Sequence, residues 1–318
     1  MMLKPQDQVV IRNKTPFSLL LFPFSFFLFT FLSCQTAPKI PDFSLDGRLP
    51  LEPGAYVYLL AEKDAIPMLS QLGFTNINNA QFQQMLDLTH FVTAAIYISP
   101  NKETDEAGKL KSFYRLAAWG GYPASRAKFA LNSSKEWKKK RSPVSGADYW
   151  HSAQGDISVA IIRGMALAAT AVKNAPAPTD PYSAATGTAL PDGFASFREG
   201  SLLSCWITDP GPAINQQLGK MGIPLEIPAQ QLFISLYPAD EQRSAGEQQY
   251  KARLQIQVDN ANQARMLTMM FALARNFIPP PLSILFANSP VQDGTNLNIT
   301  TDPLSVREIA LLLKMFSL

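Results

Sequence analysis

Two stretches of this chain resemble each other, which restricts it to folds that can be assembled from two similar parts. The stretch GAYVYLLAEKDAIPMLSQLG, residues 54–73, aligns without gaps to GSLLSCWITDPGPAINQQLG, residues 200–219. Gly54 matches Gly200, and Gln-Leu-Gly closes both stretches. No other position of the two stretches is identical, so the order of elements that follows each copy is the stronger indication of a repeat.

That order is the same in both halves: strand, helix, strand, strand, helix, strand. The first half has strand-like AYVYLLA, FVTAAIYISP, SFYRLAAWG and ISVAIIRG, with a helix from about Ser125 to Lys139. The second half has SLLSCWIT, QLFISLYP, YKARLQIQV and LNITT, with helices in AINQQLGKM and ANQARMLTMMFALARNF. Such an order is typical of a ferredoxin-like unit. We therefore predict an α+β fold made of two pseudo-repeated ferredoxin-like (βαββαβ) lobes.

Local patterns in the second half agree with this prediction. RLQIQV alternates polar and apolar residues, as in a strand with one buried face, whereas Ala264, Leu267 and Phe271 recur at helical spacing. Ser305 precedes Glu308 by three residues just before ALLLKMF, which is the pattern of a capping box at the start of a helix. The second lobe is therefore expected to end in a closing helix.

The domain boundaries follow from composition. We place the first lobe at residues 54–170 and the second, with its closing helix, at residues 196–318. Residues 171–195 between them contain KNAPAPTDPYSAATGTALPDG, which is rich in Pro, Ala, Ser and Thr and reads as a linker. A single body with one shared sheet is the alternative, because small lobes often cannot bury enough surface alone.

The N-terminus has the layout of a cleavable secretory signal in residues 1–33. The basic residues Lys4, Arg12 and Lys14 precede an apolar stretch, residues 16–32, and small or polar residues follow it at once. This stretch is barely long enough to cross a bilayer, and a proline in its middle would interrupt a helix. A permanent membrane anchor is therefore the weaker interpretation.

The sequence Phe31-Leu32-Ser33-Cys34 resembles a bacterial lipobox, most closely the looser form found in spirochaetal lipoproteins. It departs from the usual pattern, which has Leu three residues before the Cys. The resemblance implies that Cys34 receives diacylglycerol and becomes the mature N-terminus, with acyl chains such as palmitate holding it to the inner or outer membrane. Residues 34–53, with four prolines, would then be an extended tether. The folded part would lie in the periplasm or at the cell surface.

Composition excludes two classes of protein. The net positive charge of the chain comes largely from the signal, so the remainder is nearly neutral and offers no basis for nucleic-acid binding. If Cys34 is acylated, Cys205 has no partner for a disulfide. Cys205 lies in the apolar stretch SLLSCWIT, where an inert buried thiol is expected.

Sequence motifs give little support to catalysis. The two histidines, His90 and His151, lack the spacing of a metal site, so no metal is predicted. No Gly-x-Ser-x-Gly, Walker loop or G-x-G-x-x-G occurs, and no cofactor is predicted. Paired carboxylates remain open, because proximity in space does not show in the sequence. A protein without enzymatic activity is favoured.

Two segments are candidates for a binding surface. In KEWKKKR, residues 135–141, the cations could meet phosphate headgroups or an anionic polymer, or simply end a helix. WGGYP, residues 119–123, could offer flat aromatic contact or form a tight turn with packed rings. The candidate surface consists of Trp119, Tyr122, Trp137, Lys138, Lys139, Lys140 and Arg141.

Three functions remain possible. The leading hypothesis is a membrane-anchored envelope lipoprotein that binds or scaffolds, with the membrane as one partner through Cys34 and another envelope protein as a possible second. The first alternative is an enzyme that acts on envelope glycan or peptidoglycan with paired carboxylates. The second is a carrier of an apolar ligand between the lobes, with Met266, Met269 and Met270 as candidate lining residues.

Overall fold

The computed structural model describes the folded part of the chain. The described residues are 48–49, 51–65, 68, 87–98, 112–162, 164–171, 174–183, 187–220, 222, 226–239, 248–274 and 287–316. The predicted signal, the predicted lipid attachment site Cys34 and most of the predicted tether lie outside them.

The elements alternate along the chain as follows. They are β1 Arg48–Leu49, β2 Val57–Glu62, β3 Thr89–Ile98, β4 Ser112–Gly120, α1 Ala124–Ser133, β5 Trp137–Arg141, β6 Asp148–Ser152, β7 Ile157–Ile162, β8 Met165–Thr170, α2 Asp180–Ser183, β9 Thr188–Ala189, α3 Phe194–Arg198, β10 Leu203–Thr208, α4 Gly211–Lys220, β11 Gln231–Pro238, β12 Gln249–Gln257, α5 Ala261–Ala274, β13 Val291–Asp293, β14 Asn296–Thr300, β15 Leu304–Ser305 and α6 Val306–Phe316.

One antiparallel sheet of 13 strands runs through both halves of the chain. Its order is β13-β14-β12-β11-β10-β2-β3-β4-β8-β7-β6-β5, and β15 pairs with β12 at one end. At the centre, β2 of the first half pairs with β10 of the second, with Leu59 opposite Cys205. The fold is therefore mixed α and β with a large shared sheet, as the single-body alternative expects.

The ferredoxin-like strand order is absent from the described part of the chain. A split βαβ unit keeps its first two strands parallel, with a third strand between them. Here β2 and β3 are direct antiparallel neighbours, and so are β10 and β11. The predicted order of strands in the sheet was wrong, although most of the predicted helices and strands exist. Sequence periodicity indicates where an element lies, but it contains no information about which strands pair.

Outward from the central β2–β10 pair, both directions show the same succession of strands. On one side β3 and β4 follow, then β8, then its hairpin partner β7. On the other side β11 and β12 follow, then β14, then its hairpin partner β13. The first half continues with one extra hairpin, β5–β6, at its outer edge.

Helices α1, α4, α5 and α6 cover one face of the sheet, which we call the helical face. Ala127 and Leu131 of α1 pack in a cluster with Trp150 and Val159, and α5 buries the predicted residues Ala264, Leu267 and Phe271. The closing helix α6 begins with the predicted capping box: the Ser305 amide donates to Glu308 Oε2 at 2.7 Å, and the Glu308 amide donates to Ser305 Oγ at 3.2 Å. Both local predictions are thus confirmed.

The opposite face carries the aromatic core over the first half and the central strands. Tyr58 stacks on Trp206 with ring centroids 4.6 Å apart, and Phe194 of α3 meets Phe233 edge-on at 5.0 Å. Leu49 of the β1–β9 ribbon is also fully buried here. The last residues of the predicted tether therefore belong to the core, and the extended part is shorter than predicted.

Candidate functional site

The aromatic members of the predicted binding surface lie in the core. Trp119, Tyr122 and Trp137 are 8%, 7% and 9% exposed. Trp119 packs against Phe91 on the opposite face, while the other two rings belong to the cluster under α1. The structure therefore places these rings on two sides of the sheet and away from solvent. Their role is packing, the alternative given for WGGYP.

Close packing also explains the glycines of WGGYP. A Cβ on Gly120 would stand 2.1 Å from the carbonyl oxygen of Leu88, so no other residue fits without moving the backbone. The Gly121 amide donates to the same oxygen at 2.9 Å, and the Tyr122 hydroxyl meets Thr89 Oγ1 at 2.7 Å. Burial raises the pKa of Tyr122, so its hydroxyl stays protonated.

The cationic run forms an edge strand and not the end of a helix. Helix α1 ends at Ser133, and β5 presents Lys138, Lys139, Lys140 and Arg141 to solvent at the border of the sheet. Lys139 pairs with Asp148 at 2.6 Å, and this hydrogen bond lowers the pKa of Asp148. Charged residues protect an exposed strand edge from pairing with other chains. Anion binding by this strand remains a prediction.

The titratable groups described here suit structural roles. Burial is the main reason that the pKa of His151 is lowered, with the charge of Lys140 second. Burial raises the pKa of the Cys205 thiol to about 12, which keeps the thiol protonated and poorly nucleophilic. Within the described residues, no group of three or more His, Cys, Asp or Glu side chains is placed to hold a metal ion.

A buried arginine binds the C-terminal end of the predicted tether. Arg115 on β4 is 4% exposed and pairs with the carboxylate of Glu52. The backbone carbonyl of Glu52 accepts hydrogen bonds from the hydroxyls of Tyr58 at 3.0 Å and Tyr97 at 2.7 Å. Arg115 also donates to the carbonyl of Ala177 at 3.4 Å. One side chain thus joins the start of the folded body to the segment around residue 177.

Helix α5 carries an exposed apolar stripe that the sequence analysis interpreted differently. Met266, Met269 and Leu273 are 51%, 56% and 71% exposed and recur at helical spacing. They lie away from Ala264, Leu267 and Phe271, which pack on the sheet. Two of the methionines assigned to a ligand pocket therefore face outward. We call Met266, Met269 and Leu273 the apolar stripe.

The second half has a polar feature on the opposite face of the sheet that sequence reasoning missed. Five amide side chains lie on three neighbouring strands, β11, β12 and β14. Gln231 stands opposite Gln257, Gln257 opposite Asn296, and Gln255 opposite Asn298. The signal was present in the sequence, since glutamines alternate with apolar residues in RLQIQV. We call these five residues the amide face: Gln231, Gln255, Gln257, Asn296 and Asn298.

Comparisons with known proteins agree on one family and one fold. The family model described as "Outer membrane-associated lipoprotein TP0453" matches residues 51–277. A search of the curated proteins finds no match. No helix in the described ranges is long and apolar enough to span a membrane.

Solved structures of TP0453 share the architecture of this chain. Crystal form I is 19% identical, with a TM-score of 0.56 over 86% of this chain and 99% of that chain. Crystal form III is 16% identical, with a TM-score of 0.56 over 85% and 98%. Crystal form IV is 16% identical, with a TM-score of 0.54 over 82% and 93%. At this level of identity the likeness shows the fold alone.

Proposed function

Because this chain belongs to the TP0453 family of outer membrane-associated lipoproteins, we propose that it is a lipid-anchored binding module that lays the apolar stripe of α5 against the outer membrane. The observation that carries the proposal is the exposure of Met266, Met269 and Leu273 along one side of a single helix. Exposed apolar side chains grouped in this way mark contact sites for proteins or membranes. Family membership favours the membrane.

The position of the other exposed apolar residues supports this choice. Phe129 on α1 is 67% exposed and Leu311 on α6 is 45% exposed, and both helices cover the helical face. Most of the large apolar side chains that the described residues expose therefore belong to helices on one side of the sheet. An interfacial helix buries such residues at the boundary between headgroups and acyl chains.

The energetics require the lipid anchor as well. Fully burying one Met or Leu side chain contributes about 1.5–3 kcal/mol, so three partly exposed side chains hold a protein only weakly. Acylation of Cys34 would convert this weak contact into an intramolecular one with a high effective concentration. The apolar stripe then orients the protein on the membrane, whereas the lipid holds it there.

The tether is long enough for this arrangement. Its folded end, Leu49, is buried on the face opposite the helices. The fourteen or so residues between Cys34 and β1 span at most about 45–50 Å when extended. An extended chain of this length exceeds the spacing between packed layers, which is about 10 Å.

The two halves support a second, evolutionary proposal. We infer that residues 54–170 and 196–318 arose by internal duplication, with residues 171–195 as the connection. The matched succession of strands around the β2–β10 pair favours this origin. The cationic strand β5 belongs to the extra hairpin of the first half, so any contact it makes with anionic headgroups would be specific to that half.

Spin labels test the membrane contact directly. The full chain would carry a label at Met269→Cys or, as the matched control, at Val291→Cys, and be reconstituted in vesicles of phosphatidylcholine and phosphatidylglycerol. Val291 is 64% exposed but sits on a strand at the sheet edge, outside the helices. The half-buried Cys205 thiol should react slowly with the label, because its raised pKa keeps it protonated.

Power saturation then distinguishes the outcomes. We expect the label at residue 269 to collide preferentially with dissolved oxygen and the label at residue 291 with a water-soluble nickel chelate. Equal accessibility of both labels to the nickel chelate would refute the proposed contact, even if the lipid still holds the protein on the vesicle.

A further inference from the structure

The first half concentrates positive charge in one segment. Residues 124–148 contain seven Lys or Arg and two Asp or Glu, whereas the chain beyond the predicted signal is nearly neutral. This segment comprises α1, β5 and the first residue of β6. The second half has no counterpart of the β5–β6 hairpin among the described strands. The strand pattern that the two halves share therefore does not require these cations.

Three of the cations surround one carboxylate on the helical face. Side chains alternate along β5, so Lys139 and Arg141 lie on the same side of the strand as Trp137, which packs in the cluster under α1. Lys139 donates to Asp148 Oδ2 at 2.6 Å. This hydrogen bond is the main reason that the pKa of Asp148 is lowered, and the charges of Arg141 and Lys128 add to it. One anion thus meets three cations, and net positive charge remains.

An exposed aromatic ring stands beside these cations on α1. Ala127 and Leu131 are buried against the sheet, and Phe129, midway between them, lies on the far side of the helix and is 67% exposed. Lys128 is exposed as well. Cations and an apolar ring therefore share one solvent-facing surface. We call this surface the cationic patch, formed by Lys128, Phe129, Lys139 and Arg141.

The turn between β5 and β6 fixes the backbone that carries these cations. Arg141 Nε donates to the carbonyl of Gly146 at 2.9 Å. Ser142 Oγ accepts a hydrogen bond from the Val144 amide at 3.0 Å and donates to Asp180. Within this hydrogen-bonded turn the Val144 side chain is 65% exposed. A second apolar side chain is therefore held in solvent near the cations.

These apolar side chains select among anionic ligands. A soluble anion or a flexible anionic polymer would pair with the cations but leave Phe129 and Val144 in water. At a bilayer surface, cations meet the phosphate groups while apolar side chains enter the boundary between headgroups and acyl chains. The family is associated with the outer membrane. A bilayer that contains anionic lipid therefore suits both kinds of side chain.

We propose that the cationic patch binds the phosphate headgroups of anionic phospholipids. The proposal rests on the membrane function proposed above, because the lipid anchor must bring the protein to a bilayer. It adds a second contact far from the first: α1 packs on β5 and β7, whereas α5 packs on β13 and β14 at the other end of the sheet. Each cation near an anionic surface contributes about fivefold to binding. The apolar stripe carries no charge, so the two contacts respond differently to lipid composition.

The test uses the full chain, held in vesicles by its own lipid, with a spin label at Phe129→Cys. One set of vesicles contains phosphatidylcholine alone, and the other contains added phosphatidylglycerol. Collision with an uncharged nickel chelate shows whether the label is in water. We expect the label to be shielded from the chelate only in the vesicles with phosphatidylglycerol. Added salt should expose it again, because salt screens contacts between exposed charges.

A matched pair of double variants tests where the charges must lie. Lys128→Gln with Lys139→Gln should lower the ratio of docked to undocked patch about 25-fold, since two cations are lost. Lys138→Gln with Lys140→Gln removes two exposed cations from the other side of the same strand and should retain most of the docking. Both partners of the Lys139–Asp148 pair are half-exposed, so the thermal midpoint should stay close to that of the parent.

The outcomes separate this proposal from the contact made by α5. Equal accessibility of residue 129 in the two kinds of vesicle would overturn the headgroup site, even if the label at residue 269 stays in the membrane. Equal loss of docking in the two double variants would overturn it too, because net charge alone would then explain binding. So would shielding of residue 129 by dextran sulfate on vesicles of phosphatidylcholine alone, which would assign the patch to a soluble polyanion. Shielding of residue 129 by phosphatidylglycerol with residue 269 in water would support the patch and refute the apolar stripe.

Discussion

The two halves of the sheet present different chemistry on the same face. Phe91, Trp119 and Met165 of the first half are buried in the aromatic core, whereas Gln231 and Gln257, at the corresponding register in the second half, are half-buried amides. Strand geometry is alike in both places. The difference lies in the cover, because the β1–β9 ribbon packs into the core with Phe91 and Trp119, whereas α3 packs on β10 and β11.

The same contrast extends to a pair of arginines. Arg115 on β4 is buried and bound to Glu52, while Arg253, at the matching position on β12, is exposed and lies over the Phe197 ring at 5.1 Å. A covered arginine must be paired, whereas an exposed one can be replaced at little cost. Cover, and not strand position, therefore determines what each residue contributes to stability.

Removing a large ring should give the largest difference between the halves. We expect Trp119→Ala to lower the free energy of unfolding by about 3–5 kcal/mol, because it leaves a cavity in the core. Gln257→Ala, at the matching position, should change it by less than about 0.5 kcal/mol. Urea denaturation of both variants measures the difference. Similar losses in the two variants would show that the second half is covered too.

Arginine variants should give an intermediate effect. Arg115→Met removes the partner of Glu52, whose side chain is 38% exposed, so we expect a loss of about 2–3 kcal/mol, below that of a fully buried pair. Arg253→Met should cost about 0.5–1 kcal/mol, the value of an exposed cation–π contact. The same denaturation assay applies. A larger loss for Arg253→Met would reverse the comparison.

Acid should lower the stability of the protein through His151, which lies in the first half. This is the smallest of the expected effects. The pKa of His151 is lowered in the native state, chiefly by burial and next by Lys140. Below the ordinary histidine pKa of about 6.5, the unfolded chain therefore binds a proton that the native chain lacks, and stability falls as pH falls. Above that pH, His151 is neutral in both states, and its full contribution to stability is present.

The variant His151→Gln isolates this contribution. Its thermal midpoint should fall less steeply than that of the parent between about pH 7 and pH 5, since glutamine has no proton to gain in this range. Identical slopes in a pH series of thermal melts would show that His151 titrates alike in both states. His151 lies on the extra hairpin, which has no counterpart among the described strands beyond β13.

Local features of this fold were readable from the sequence. The capping box at Ser305 and the buried residues Ala264 and Leu267 depend on neighbours within one or two turns, so their spacing was enough to predict them. The lipoprotein assignment likewise depended on a short N-terminal pattern, and the family match confirms it.

Contacts between residues far apart in the sequence could not be predicted in this way. The pairing of β2 with β10 joins residues from different halves, and no local pattern encodes it. Trp137 ends up in the cluster with Trp150 because β5 and β6 form a hairpin, which turned a predicted helix end into a strand. The amide face escaped notice because an outward glutamine looks the same whether it meets water or the amides of neighbouring strands.

The central β2–β10 pair also has a consequence for how the chain acquires its structure. Strand β2 cannot complete its ladder until β10, almost half the chain later, is available. Contacts this distant in sequence slow folding, and an open strand edge is a template for aggregation. An exported chain emerges with its N-terminus first, so the edge of β2 stays unpaired until the second half has emerged. We expect this protein to depend on a holding chaperone during export more than a chain with two independently closed domains would.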